Sequence, residues 1–341
     1  MKRWASALER IPSLGLRTVA ALVVLAILAA IGVGLGIGRL ARPSPTPVRV
    51  SVTFAPVVTP APTPLDEATL FRQPLSGGCA TSEAVWIVTN GGGLMRWDGA
   101  KWSQPDGTLR SLMRVSCSRD DAYAVGLLGA VMVSDEPLRQ IRAADITTED
   151  LFGVSAFPDG ALIVGTRGTV FLLFQGDLQP YAAGIDEDLL AVVQFSLQSA
   201  WAVGDRGITY RLDQRGWNPI GSGQTKTLRA VAGTTPSNSV AVGDGGVIVR
   251  YDGGWKSVKS DVEVTLRDVI VDPALWIVGD KGTVLTGSLT SLRKVDLGTS
   301  CDLLSVFTRG NEVWVVGRAP IGGGVWQLRA DGTVAQKWGG C

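Results

Sequence analysis

Short apolar runs broken by glycine and aspartate recur along this chain. The octet at 200–207 reads AWAVGDRG; it returns as SVAVGDGG at 239–246 and LWIVGDKG at 275–282. AYAVGLLG (122–129) and ALIVGTRG (161–168) are near copies, and VWIVTNGG (85–92) and VWVVGRAP (313–320) are weaker ones. Six octets are preceded by a Leu-x-x-Val run: LMRV (112–115), LFGV (151–154), LLAV (189–192), LRAV (228–231), LRDV (266–269) and LLSV (303–306). Further runs such as ITYRL, VIVRY and WKSV follow the octets. Runs of this length, mixing β-branched, aromatic and small residues between turn residues, are strand signals. No helical 3.6-residue period appears after residue 66.

One glycine of the octet recurs at Gly126, Gly165, Gly204, Gly243, Gly279 and Gly317, in steps of 39, 39, 39, 36 and 38 residues. A period of this size sets the architecture. Four antiparallel strands per unit and seven units predict an all-β seven-bladed β-propeller over residues 67–341. The first unit begins near Leu75 and the last ends near Cys341, so the ring is expected to close without a strand borrowed from the other end. No polar capping unit is visible, which favours a closed ring over an open solenoid. The G-D-x-G corner suits a type I turn followed by a left-handed glycine. Asp205, Asp244 and Asp280 are expected to hydrogen-bond that turn's own backbone. Trp86, Trp201, Trp276 and Trp314 share one repeat position with Tyr123, and Trp102, Trp217, Trp255 and Trp338 are placed near the start of fourth strands. A row of tryptophans can serve as sugar platforms, but aromatic packing of blade on blade is the expected role.

The N-terminal part reads differently. Residues 18–38 form a 21-residue stretch without charge, long enough to span a bilayer as a helix. A cleaved signal peptide is the rival, with a shorter apolar core and a small-residue cleavage site. The expected organisation is a short cytoplasmic N-terminus (1–17), a transmembrane signal anchor (18–38), a Pro-rich extended linker (39–66) and the propeller. Within the span, Gly32, Gly34, Gly36 and Gly38 lie at spacings that let another helix approach closely. Seven prolines over 43–64 make the linker a semi-rigid spacer. The propeller is thus expected on the periplasmic or extracellular side of the cytoplasmic membrane, held by a single pass.

The net charge is +1, but residues 1–50 carry +6, which leaves about −5 for the rest. A mildly acidic body argues against nucleic acid as a partner. The chain has no histidine, which removes Ser–His and Cys–His dyads and the commonest zinc and haem ligand. No C-x-x-C is present, and no metal, cofactor or small-molecule substrate is expected. The four cysteines sit one repeat apart in two pairs, which suggests Cys79–Cys117 and Cys301–Cys341; the rival is a Cys79–Cys341 clasp, and spacing cannot choose among the three connectivities.

RYDGGWKSV (250–258), RWDGAKW (96–102) and LDQRGW (212–217) are eroded relatives of the Asp-box turn of sialidase-type propellers. A sialidase needs three converging arginines and a tyrosine nucleophile with an acid partner. Tyr123, Tyr210 and Tyr251 fall within repeat strands, and Tyr181 has no acid partner evident in sequence. No catalytic residue is assigned. Topology places Arg167, Arg206, Lys281 and Arg318 on one rim, where they are the expected partner-binding residues, with Glu149, Asp150, Asp186, Glu187, Asp188, Lys226 and Asp302 from the connections between blades. A mixed-charge rim can be a protein-docking face or a solvated surface of weak ion pairs.

The repeats AWAVGDRGITYRLDQRGW and SVAVGDGGVIVRYDGGW resemble those of the photosystem II stability/assembly factor propellers, roughly G-W-A-V-G-x-x-G-x-I-x-x-T-x-D-G-G. The resemblance covers about residues 70–341 and is clearest in repeats four and five. It implies a seven-bladed, non-enzymatic protein that helps assemble a photosynthetic membrane complex. Two departures stand out: an anchor and proline stalk, and an Asp-box turn shortened in repeat five and lost in repeats two and six. No binding residue is carried over. The expected function is a scaffold or assembly factor for a membrane or envelope protein complex. A cell-envelope glycan-binding module would require exposed tryptophans, and a divergent glycosidase would require acids clustered at the channel mouth.

Overall fold

A computed structural model describes residues 66–107, 110–134, 139–141 and 146–340. The expected anchor, its four glycines, the proline-rich segment up to residue 65 and Cys341 lie outside these residues. Seven four-stranded antiparallel sheets are formed, each from strands consecutive in sequence. Blade four shows the plan: Leu189–Ser196, Ser199–Gly204, Thr209–Asp213 and Gly216–Pro219. The innermost strands, six of which begin on or beside the Leu-x-x-Val runs, are Leu75–Ala80, Leu112–Cys117, Leu151–Phe157, Leu189–Ser196, Leu228–Thr235, Leu266–Ile270 and Asp302–Arg309.

The first four residues of an octet such as AWAVGDRG read as a continuous apolar run because second strands are buried on both faces. Ala200 and Ala202 pack with Leu162 and Val164 of blade three. Trp201, pointing the other way, packs with Ala241, Val249 and Tyr251 of blade five. Its ring lies 4.6 Å from Tyr251 and 5.1 Å from Trp255. Trp276 and Trp314 wedge in the same sense against blades seven and one. The repeated aromatics therefore join blade to blade.

Blades one and seven are each complete, so the ring closes without a shared strand. Side chains hold that seam. Trp338 lies 5.0 Å from Trp97, 5.2 Å from Trp314 and 5.7 Å from Trp102. Ser305 Oγ donates to the Gly78 carbonyl at 3.3 Å, and Arg309 Nη2 to that of Glu83 at 3.3 Å. Trp338 sits at the end of the last strand, Val334–Gly339, rather than near its start. A one-turn helix, α1 (Glu67–Leu70), precedes blade one; it is too short to produce a periodic signal. Asp66 caps it, accepting from the Thr69 N–H at 2.7 Å, and this bonding holds the Asp66 carboxyl below its ordinary range. Leu70 and Phe71 are buried in the seam, and the Gly323 N–H donates to the Phe71 carbonyl at 3.0 Å.

Cys79 and Cys117 form a disulfide between the innermost strands of blades one and two, with Cα atoms 5.6 Å apart. This rules out the Cys79–Cys341 clasp. Cys301 is disulfide-bonded as well.

Candidate protein-docking face

The turns between second and third strands lie on one face with the connections between blades. Gly204 is extended, with φ −169°. Arg206 (φ 53°, ψ 27°) and Gly207 (φ 73°) follow in left-handed conformations, and the Ile208 N–H donates to the Asp205 carbonyl at 3.1 Å. Two left-handed central residues make this a type I′ turn, whose twist matches a two-residue hairpin. The expected type I turn with one left-handed glycine is corrected accordingly. Leu128, Arg167 and Lys281 take the same strained position, with φ of 54°, 51° and 56°.

The turn aspartates do not serve their own backbone. Asp244 receives Arg229 Nε at 2.5 Å and Nη2 at 3.0 Å, and Thr265 Oγ1 at 3.2 Å. Asp280 receives Arg267 Nε at 2.7 Å and Nη2 at 3.0 Å. Asp205 accepts from Thr227 Oγ1 at 3.3 Å. Burial works against the Asp244 charge, but the Arg229 bond and charge outweigh it, so its carboxyl titrates below the ordinary range. An arginine in the second position of Leu-Arg-x-Val is a stronger partner than a turn amide. The turn amides are satisfied instead by the next blade: Leu128, Arg167 and Lys281 N–H groups donate to Asp150, Asp188 and Asp302 at 2.9, 2.8 and 3.3 Å.

Adjacent turn positions should therefore respond oppositely to substitution. A Cβ on Gly207 would overlap the Gln224 carbonyl, so Gly207→Ala is expected to cost roughly 2 kcal/mol or more. Arg206→Gly should stay within about 1 kcal/mol of the parent, because relief of left-handed strain offsets the entropy of glycine in the unfolded chain. Urea titration of both variants checks the pair.

The sequence-predicted rim residues divide into two sets. Arg167, Arg206 and Lys281 sit at exposed turn tips. Arg167 pairs with Glu149, to which Thr166 Oγ1 also donates at 2.6 Å. Arg318 lies at the root of the blade-seven turn and lines the channel mouth. Tyr210 donates to Glu187 at 2.9 Å, an acid partner not anticipated for it. Burial first, then Glu187, pushes this phenol up to about 12, the opposite of nucleophile activation.

The mouth itself was not legible as a site. Ser76, Met113, Phe152, Leu190, Arg229, Arg267 and Leu304, one from each blade, ring it together with Arg114 and Arg318 around a cavity of about 270 Å³. From blade two onward these are the second residues of the Leu-x-x-Val runs. The available signal was internal: the flanking Leu and Val repeat because they pack, while the second position varies because it faces open space. Arg229 and Arg267, which also line the mouth, use Nε and Nη2 on their aspartates. Deeper, a channel of about 300 Å³ is crossed by Arg114 of blade two and Asp268 of blade six, 3.3 Å apart. Asp268 also accepts from the N–H groups of Val306 and Val269, both at 3.0 Å. Burial pushes its carboxyl up, outweighing the pull of Arg114 and these amides.

Asp268 is the one acid lining the mouth and channel among the described residues, so the paired carboxyls of a glycosidase are not assembled there. Trp86, Trp102, Trp201, Trp217, Trp276, Trp314 and Trp338 are buried and form no sugar platform.

A closed seven-bladed propeller with an arginine-and-apolar mouth is thus defined. No protein-family model and no curated protein matches the chain. Solved structures match its fold. YCF48 from Cyanidioschyzon merolae aligns with TM-score 0.61 and 15% identity, over 76% of this chain and 97% of that one. The WD40 β-propeller domain of Doa1 aligns with TM-score 0.61 and 14% identity, over 78% and 95%. YCF48 bound to D1 peptide aligns with TM-score 0.52 and 17% identity, over 65% and 78%. At these identities the likeness is one of fold.

Proposed function

We propose that this chain is a non-catalytic scaffold that holds a segment of a membrane or envelope protein over the channel mouth. The observation that carries the reading is the make-up of that mouth: Met113, Phe152, Leu190 and Leu304 supply apolar surface, and Arg318 adds a cation beside Arg114, Arg229 and Arg267, whose charges are matched by Asp268, Asp244 and Asp280. Such a surface suits a peptide that combines apolar and acidic side chains. The fold seen in YCF48 bound to D1 peptide supports peptide docking on a propeller of this kind. The resemblance of the repeats to photosystem II assembly factors makes a photosynthetic complex the first partner to look for. The uncharged run at 18–38 supports anchorage at the cytoplasmic membrane with the propeller outside it.

Full-length protein extracted from its native membrane in mild detergent should bring down a stoichiometric membrane complex. Phe152→Asp combined with Leu190→Asp should reduce that recovery at least about tenfold, since charges placed in an apolar contact are left without partners. Recovery unchanged by these variants would remove the mouth from consideration. No partner from an intact membrane would move the reading to a glycan-binding module.

A further inference from the structure

Asp268 is a largely buried carboxylate that the docking reading leaves unused. Its place follows from the repeat. The third residues of the six Leu-x-x-Val runs are Arg114, Gly153, Ala191, Ala230, Asp268 and Ser305, and all six line the axial channel. Four are glycine, alanine or serine, which leaves the width that a side chain needs to reach across. The two that are charged meet: Arg114 Nη1 of blade two lies 3.3 Å from Asp268 Oδ2 of blade six. A buried ion pair adds little over apolar residues of the same size, so filling the channel does not by itself call for one.

Arg114 is also the one described residue that lines both the channel and the mouth, whereas Asp268 lines the channel only. The mouth is divided around its ring. Met113, Phe152 and Leu190 stand on blades two to four, and Arg229, Arg267 and Arg318 on blades five to seven. Asp244 and Asp280 match the first two of these arginines. Among the described residues Arg318 forms no ion pair. The net charge at the mouth therefore turns on whether Asp268 neutralises Arg114.

The other ionisable groups on the elements packed against Asp268 are engaged elsewhere. Arg229 binds Asp244, and Arg267 binds Asp280. Asp302 accepts from the Lys281 N–H, and Arg309 donates to the Glu83 carbonyl. None of them lines the channel. Burial favours the neutral form of Asp268, and Arg114 favours the ionised one. The neutral form has a place for its proton. The Ser305 hydroxyl contacts the carboxyl and can give its own proton to the Gly78 carbonyl at 3.3 Å, so its oxygen can accept from a protonated Asp268.

We propose that Asp268 is a positioning residue that sets the charge of the mouth: ionised, it holds and neutralises Arg114, and protonated, it frees Arg114 to join Arg318 as a cation facing the ligand. This rests on the mouth being the docking site. By linkage, an acidic segment bound there favours protonation of Asp268 and is held more tightly as pH falls.

Two readouts separate the switch from the docking. In full-length protein in detergent, the Asp268 carboxyl carbon is followed by NMR between about pH 4 and pH 8 and assigned through Asp268→Asn. The guanidinium resonances of Arg114 should move with the same midpoint, together with the amides of Val269 and Val306, which donate to the carboxylate. In Asp268→Asn they should no longer titrate. Arg114 resonances that stay in place while Asp268 takes its proton overturn the proposal. The second readout is dissociation of the captured membrane complex at one fixed pH near neutrality, which leaves the partner's own titration out. The complex should leave immobilised Asp268→Asn at least about threefold more slowly than it leaves the parent, from one added charge at the contact. Adding Arg114→Met to Asp268→Asn should remove the gain, which a merely loosened channel would keep. Equal dissociation from the parent and Asp268→Asn, while Phe152→Asp with Leu190→Asp still reduces recovery, overturns the proposal and leaves the mouth reading standing. If neither set of variants has an effect, the mouth reading itself fails and the proposal falls with it.

Discussion

Trp338→Ala should lower the stability of the protein by about 3–5 kcal/mol and loosen one place in the ring selectively. Trp338 is buried among Trp97, Trp102 and Trp314, with centroids 5.0–5.7 Å away. Truncation removes its own burial and leaves a cavity between three rings that cannot all collapse into it. The selectivity follows from topology. No two blades share a strand, but blades one and seven also lack the chain connection that joins every other neighbouring pair, so packing, the Phe71 plug and two side-chain hydrogen bonds hold this seam. Trp217→Ala in blade four, also buried, serves as the comparison, because its neighbours are held on both sides by intact blades. Urea titration gives the loss. Amide exchange should accelerate in Leu75–Ala80 and Asp302–Arg309 for Trp338→Ala, and not for Trp217→Ala. A loss below about 1 kcal/mol, or exchange raised evenly around the ring, would refute this account of closure.

Arg114→Met should cost roughly 3 kcal/mol near neutral pH, the low end of the range for stranding a buried charge, and distinctly less near pH 4. The low end applies because Asp268 keeps 16% of its side-chain surface toward the channel. Burial already raises the Asp268 carboxyl above its ordinary value, with Arg114 the largest opposing influence. A carboxyl raised on folding adds stability below its unfolded pKa, and that contribution is lost as pH rises through the folded value. Removing Arg114 raises the folded value further, so the variant should lose more than the parent between pH 4 and pH 7. Near pH 4 the carboxyl can take a proton, and the stranded charge disappears. Adding Asp268→Leu should recover most of the neutral-pH loss. Urea midpoints of the parent and the two variants at both pH values decide the matter; a loss independent of pH would mean that Arg114 acts through packing alone.

The fold was legible because the repeat states it seven times. The strand part of octets such as AWAVGDRG, Ala200 to Val203, is apolar throughout since second strands lie between two neighbouring blades. The step near 39 residues then leaves little freedom beyond the number of blades and their closure. The Cys79–Cys117 bridge was readable for the same reason: one repeat apart means neighbouring strands at one height. The turn was misread in detail. Asp205, Asp244 and Asp280 look like local turn-formers in sequence, and only the tertiary structure brings Arg229, Arg267 and Thr227 to them.

By itself the sequence determined periodicity, strand order, burial of the repeated tryptophans and the lack of histidine chemistry, because each is local or repeats at a fixed interval. Tertiary structure decided what lies across the ring or between the ends of the chain. Arg114 and Asp268 are 154 residues apart and meet because closure places blades two and six across a narrow channel. Phe71 and Trp338 meet because the ring brings first and last blades together. The mouth is assembled from at least one residue of every blade, each unremarkable in its own run. Ring closure, which no local pattern encodes, makes them a surface.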